Sequence, residues 1–189
     1  MKKKSFVFQI VSGSLKGKKI KAPDLGITRP PLTRLRKSIF DFLMPYIREA
    51  YYLDLFSGTG SYLFEAVSRG AVSATGVELN RELAKSINNQ ATKFKIDNTL
   101  NCLCGDVFEA VPMLFQADKK FDIIMIAPPQ YKKIIDTTLK IIGENNILKQ
   151  GGIILTQQDS SETDKINFGQ FKVKQNRKYG NTTFSILNY

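Results

Sequence analysis

Five short segments rich in β-branched and aromatic residues recur along the chain, at 51–56 (YYLDLF), 72–79 (VSATGVEL), 99–105 (TLNCLCG), 121–127 (FDIIMIA) and 152–158 (GIILTQQ). Stretches with helical spacing follow the first four. Glu65, Ala66 and Arg69 mark the first; Leu83, Ala84, Ile87 and Asn88 the second; Val107, Val111, Leu114 and Phe115 the third; Ile134, Leu139, Ile141 and Ile142 the fourth. Strand and helix alternating at this interval can bury both partners only as βαβ units, which build a parallel sheet with helices on both faces. The C-terminal part breaks the alternation. Residues 171–180 and 181–189 are two strand-like runs meeting at Gly180-Asn181, a short hairpin signal, so the sheet is expected to end antiparallel. Ahead of the first segment, 6–13 and 18–23 read as a small hairpin turning around Ser12 to Lys18. An amphipathic helix then starts after Pro31, burying Leu35, Ile39, Phe42 and Leu43 and leaving Arg34, Arg36 and Lys37 to solvent.

A chain of 189 residues with 42% hydrophobic composition suits one core, and we expect a single domain over 1–189 with residues 1–31 as a basic hairpin extension packed on its edge. The apolar run after the leading lysines, Phe6 to Val11, is interrupted by Gln9 and too short for a signal segment or membrane span, so a soluble, cytoplasmic protein without a membrane partner is expected. The chain has no histidine, which excludes Ser-His-Asp and Cys-His catalysis. The two cysteines, Cys102 and Cys104, cannot complete a zinc set and read as two buried thiols on a strand; no metal site is expected.

The formal charge of +11 is unevenly spread: residues 1–50 carry +9, 51–150 carry zero and the remainder +2. A neutral body with a basic arm is suited to a polyanion, because neutralising phosphates supplies affinity independent of sequence. Lys16, Lys18, Lys19, Arg29, Arg34 and Arg36 are the expected nucleic-acid contacts.

The loop after the first strand, DLFSGTG at 54–60, places Asp54 at the strand end and Phe56, Ser57, Gly58, Thr59 and Gly60 before a helix. In an open parallel sheet the crevice beyond the strand C-termini takes the ligand, and glycines there let backbone approach it without a Cβ in the way. Glu78, next to Leu79 at the end of the second strand, can take both hydroxyls of a ribose. Asp106, next to Val107 after the third, can accept from an adenine amino group while Val107 packs on the ring. An adenosine-containing cofactor is therefore expected. A dinucleotide fold is disfavoured, since Leu63 stands where GxGxxG needs its last glycine. The loop resembles the first motif of class I S-adenosylmethionine-dependent methyltransferases, a Rossmann-like fold, and the resemblance implies that Asp54 faces the methionine end.

After the fourth strand stands Ala127-Pro128-Pro129-Gln130-Tyr131. Two prolines fix φ and remove N–H donors, making a rigid turn rich in carbonyl acceptors, suited to a planar amino group on a base on which Tyr131 can stack. The segment is similar to the (Asp/Asn)-Pro-Pro-(Tyr/Phe) motif of amino-methyltransferases acting on nucleic acid. Taken with 10–20 (IVSGSLKGKKI), 29–43 (RPPLTRLRKSIFDFL), 121–131 and the terminal RKYGNTTFSILNY, the chain resembles the RsmD family of bacterial rRNA guanine-N2 methyltransferases over nearly its whole length. That resemblance implies a mostly parallel seven-stranded sheet, S-adenosylmethionine as donor, a guanine of 16S rRNA in an assembling small ribosomal subunit as acceptor, and RNA contact by Arg29, Arg34 and Arg36 close to the active site; a monomer is expected. Ala127 departs from the family's Asp or Asn, which removes one acceptor for the guanine amino group, and Gln130 occupies the aromatic slot. Two other functions stay open: a cofactor-binding RNA protein with weak or no catalysis, and, more distantly, an NAD-dependent oxidoreductase.

Overall fold

In the computed structural model, residues 5–26, 33–129 and 133–189 are described. Arg29, Gln130 and Tyr131 lie outside them. Strands β1 (Ser5–Gln9) and β2 (Lys19–Pro23) pair as the expected antiparallel hairpin. The main sheet holds β3 (Tyr51–Asp54), β4 (Ser73–Glu78), β5 (Leu100–Cys104), β6 (Phe121–Ile126), β7 (Leu148–Asp159), β8 (Lys172–Tyr179) and β9 (Thr182–Asn188), in the order β5-β4-β3-β6-β7-β9-β8. Strands β3 to β7 pair in parallel, and β9 runs antiparallel to both β7 and β8. The expected seven-stranded α/β sheet with an antiparallel C-terminal hairpin is therefore present, with Gly180 taking φ +61° at the turn. Strand order reverses at β3, which has β4 on one side and β6 on the other. The crevice beyond its C-terminal end is where such sheets bind ligands.

Two cores cover the two faces of the sheet. The first packs α1 (Thr33–Phe42), α3 (Ser61–Ser68) and α4 (Arg81–Lys93) against Tyr52, Ile123, Met125, Ile153 and Leu155. The second packs α5 (Val107–Gln116) and α6 (Ile134–Asn145) against Leu53, Val77, Ile124, Ile126 and Ile154. The short α2 (Met44–Ile47) carries the chain from α1 to β3. Alternate residues of β3, β6 and β7 thus point to opposite cores, as a strand buried on both faces requires. Among the described residues no helix is long and apolar enough to cross a membrane.

The N-terminal hairpin is bound into the fold through its loop. Val11 and Ser12 amides donate to the Glu65 carboxylate at 3.1 and 3.2 Å, the Ser14 amide to the Ser68 carbonyl at 2.7 Å, and the Leu15 amide to the Ser68 hydroxyl at 3.0 Å. Gly13 makes this approach possible: it sits at φ +85°, and a Cβ there would stand 1.7 Å from the Ser68 carbonyl oxygen. Covered by this loop and by α1, all eight residues of α3 are buried.

Four expectations need correction. Arg36 is fully buried rather than solvent-facing: its guanidinium lies 3.4 Å from Glu65, donates to the Gln9 carbonyl at 2.6 Å and stands over the Phe8 ring. An apolar pattern on α1 predicts the outward face of a lone helix, but the hairpin covers that face and brings a carboxylate with it. Phe40 fills the core position beside Ile39 and Leu43, while Leu35 and Phe42 are half-buried. Cys104 is exposed, since β5 is the sheet's edge strand, and only Cys102 is buried. Phe115 on α5 is likewise exposed, and Ala110 takes the core position.

Candidate functional site

The rim at the C-terminal ends of β3, β4, β5 and β6 gathers most of the residues singled out by sequence. Asp54 closes β3. The loop that follows is folded by its own backbone: the Ser57 amide donates to the Val77 carbonyl, the Ser57 hydroxyl to the Asp54 carbonyl at 3.0 Å, and the Gly60 amide to the Ser57 carbonyl at 2.7 Å. Gly58 and Gly60 adopt φ +52° and +77°, a left-handed conformation that favours glycine. Ser57 and Thr59 are buried, Phe56 half-buried.

Glu78 is fixed from two sides. Its Oε2 accepts from the Gly58 amide at 2.7 Å and its Oε1 from the Asn80 amide at 2.8 Å, and Asn80 in turn caps α4. Burial raises the Glu78 carboxyl above the usual range while those two amides oppose the rise. A carboxylate oxygen accepts more than one hydrogen bond, so both Glu78 oxygens keep capacity for a ligand's hydroxyls. Asp106 caps α5, accepting from the Phe108 amide at 2.8 Å through Oδ1 and leaving Oδ2 without a partner among the described residues. Val107 is turned into the second core, so Leu79 and Phe108, both exposed, are the apolar side chains this rim offers to a flat ring.

Asp54 is the most unusual member. It is 1% exposed, and neither carboxylate oxygen has a well-formed hydrogen bond. Burial pushes its carboxyl up to about 7, the Phe56 amide opposes this, and the charge of Glu78 adds to it. A buried acid without a partner is costly and marks a place where a cation or donor belongs. Together the rim offers an acceptor for a cationic group at Asp54, oxygens for a diol at Glu78, an apolar wall at Leu79 and Phe108, and an acceptor for a ring amino group at Asp106. These residues fit S-adenosylmethionine from its charged end to its base.

Ala127 follows β6 and is half-buried against the first core; Pro128 is half-buried and Pro129 exposed. The prolines border a cavity of about 250 Å³ that also reaches Gln157, Gln158 and the start of α6. Of the residues expected to touch nucleic acid, Lys16, Lys18, Lys19 and Arg34 are exposed, with Lys18 over the Phe94 ring at 4.8 Å. Arg36, buried and ion-paired, is not available to phosphate.

Three residues of the rim carry roles that sequence reading missed. Gly76, in the middle of β4, leaves room for the loop, since a Cβ there would stand 2.5 Å from the Ser57 hydroxyl and 2.6 Å from Leu63. A glycine inside a strand is the sequence signal for such close approach. Tyr62 and Gln157 form a hydrogen bond at 2.7 Å between α3 and β7. No local pattern announces that pair.

A sequence profile of the family described as conserved hypothetical protein 95 matches residues 8–188. The ribosomal RNA small subunit methyltransferase D of Haemophilus influenzae is 29% identical over 161 residues, covering 83% of this chain and 80% of its own. Among solved structures, yhhF of Escherichia coli, described as a candidate methyltransferase, superposes with a TM-score of 0.83 at 20% identity, covering 96% of this chain and 97% of that one. An RNA methyltransferase of Salinibacter ruber in complex with S-adenosyl-L-homocysteine shares the fold at a TM-score of 0.65 and 16% identity, over 84% of this chain and 92% of that one. Sequence profile, relatives and fold agree, and the chain belongs to the family described as conserved hypothetical protein 95, the RsmD family.

Proposed function

We propose that this protein is a cytoplasmic, monomeric, single-domain methyltransferase that uses S-adenosylmethionine to methylate the exocyclic N2 of a guanine in 16S rRNA of an assembling small ribosomal subunit. The observation that carries this reading is the buried, unpartnered Asp54 carboxylate at the switch point of the sheet, next to a loop whose Gly58 amide is held by Glu78. The relatives named as small-subunit rRNA methyltransferases support it.

Asp54 holds the cationic end of the cofactor, Glu78 the ribose hydroxyls, and Asp106 the adenine amino group, with Phe56, Ser57, Thr59 and the glycines shaping the loop and Leu79 and Phe108 bordering the ring. When bound, the cofactor would supply a methyl group on a sulfonium sulfur, whose carbon a nitrogen lone pair can attack as the carbon–sulfur bond breaks and the thioether leaves. The Ala127, Pro128 and Pro129 backbone, with Gln130 and Tyr131, positions the guanine so that its amino lone pair faces that methyl. Methyl transfer depends chiefly on alignment, which a rigid Pro-Pro turn provides. Lys16, Lys18, Lys19, Arg29 and Arg34 hold RNA phosphates.

A second reading has one observation in its favour: Ala127 carries no side-chain acceptor, as a protein that binds cofactor and RNA without efficient catalysis would have. Tritiated methyl transfer to 30S particles lacking the modification separates the two. The methyltransferase reading expects label in the RNA from the native chain, and Ala127→Asp to raise turnover by roughly two orders of magnitude, about the worth of one preorganised polar group. Cofactor binding without any label from the native chain favours the second reading.

A further inference from the structure

The absence of a side-chain acceptor at Ala127 directs attention to what stands beside it. Ile126 of β6 pairs with Thr156 of β7, so the next residues, Ala127 and Gln157, stand side by side. Ala127 is the first residue past β6, whereas Gln157 is still within β7, paired with Phe184 of β9. They also share a face. Met125 and Leu155 both point into the first core, and two residues on, Ala127 packs against that core while Gln157 reaches Tyr62, one of its members. Asp54 lies on this face too, two residues beyond Tyr52 on β3 and paired with Met125.

Gln157 is half-buried and borders the cavity beside Pro128 and Pro129. Its amide is not free to swing. The Tyr62 hydroxyl, on a ring that is 5% exposed and packed at 5.9 Å from Phe40, donates to Gln157 Oε1 at 2.7 Å. That bond uses one lone pair of Oε1 and leaves the second. Nε2, with two N–H donors, has no partner among the described residues.

We propose that Gln157, clamped by Tyr62, is a substrate-positioning residue that supplies the acceptor missing at Ala127. Oε1 accepts a hydrogen bond from one N–H of the acceptor amino group, whose nitrogen lone pair faces the methyl and which loses its proton to solvent after transfer, and Nε2 donates to the ring nitrogen next to that amino group. A carboxamide presents an acceptor and a donor in one plane, which matches the N2 and N3 edge of guanine. The pairing selects a purine edge with an N–H donor adjacent to a ring acceptor. This inference rests on the methyltransferase reading above.

The test measures kcat and KM on 30S particles lacking the modification, S-adenosylhomocysteine affinity by calorimetry, and melting temperature, for the native chain and for Gln157→Ala, Gln157→Glu and Tyr62→Phe. Gln157→Ala is expected to lower kcat by roughly tenfold or more, in line with loss of a preorganised polar contact, with cofactor affinity unchanged and the melting temperature lowered by a few degrees at most, since the Tyr62 hydroxyl loses its acceptor. Gln157→Glu keeps an acceptor oxygen and recovers part of the loss. Tyr62→Phe lowers kcat in the same direction through the freed amide. A Gln157→Ala protein that turns over like the native chain overturns the inference and leaves the methyltransferase reading standing. A native chain that binds S-adenosylhomocysteine and transfers no methyl overturns both.

Discussion

Asp54→Asn is expected to make the ligand-free protein more stable at pH 8 and to abolish cofactor binding. Asp54 is buried with neither oxygen well bonded, and its carboxyl is pushed from 3.8 up to about 7. Between those values the unfolded chain has lost this proton while the native chain still holds it. Native protein then binds more protons, so stability falls as pH rises through that window and stays low above it. The span corresponds to roughly 4 kcal/mol of native-state cost at pH 8, at about 1.4 kcal/mol per pH unit. Asparagine removes the charge and leaves a buried amide whose own unsatisfied groups cost about 1–3 kcal/mol. The net gain is about 1–3 kcal/mol, a rise of several degrees in melting temperature for a domain of this size. At pH 5, where Asp54 is protonated in the native state, the gain should vanish, and scanning calorimetry at both pH values reads the difference. Isothermal calorimetry should meanwhile show S-adenosylhomocysteine affinity lost in the variant. In the native protein that affinity should fall by up to about tenfold per pH unit below pH 7, as binding requires Asp54 to give up its proton. A site that destabilises its own fold until a cation arrives is the trade between stability and function expected of a binding carboxylate.

Glu65→Ala should produce the largest loss of stability. Glu65 is fully buried and holds four groups at once: the Val11 and Ser12 amides of the hairpin loop, Arg69 Nε at 3.0 Å and Arg36 Nε at 3.4 Å. Burial already pulls the Arg36 guanidinium below its ordinary value, with Glu65 opposing the shift. Removing the carboxylate leaves Arg36, among the described residues, with the Gln9 carbonyl and the Phe8 ring and no anion, whereas Arg69 keeps Asp41 at 2.9 Å. Breaking a buried pair by deleting one partner costs about 3–5 kcal/mol. For this chain that means a fall in melting temperature on the order of 10 °C. Arg69→Ala, whose partner Glu65 retains Arg36 and two amides, should cost less. Equal losses from the two variants would mean that Glu65 does not hold the hairpin, α1 and α3 together.

The α/β sheet is legible in the sequence because its determinants are local: strands buried on both faces read as continuous apolar runs, and the hairpin at Gly180-Asn181 carries its own turn residues. The cofactor rim is legible for the same reason, since Asp54, Glu78 and Asp106 stand at or just past strand ends that the pattern already locates. What the sequence conceals are contacts between distant elements. Arg36 is misread because its carboxylate partner lies on α3, brought there by tertiary packing of a loop that only Gly13 permits. Tyr62 and Gln157 meet across α3 and β7 with no periodicity linking them. Cys104 looks buried in an apolar run, but β5 is the edge of the sheet, and strand order is not written in any single segment.

The most direct measurement is mass spectrometry of nucleosides from 16S rRNA of cells with and without this gene, with the gene-deleted strain complemented by the native chain. One N2-methylguanosine should disappear on deletion and return on complementation. An identical set of modified nucleosides in all three strains would contradict the methyltransferase reading.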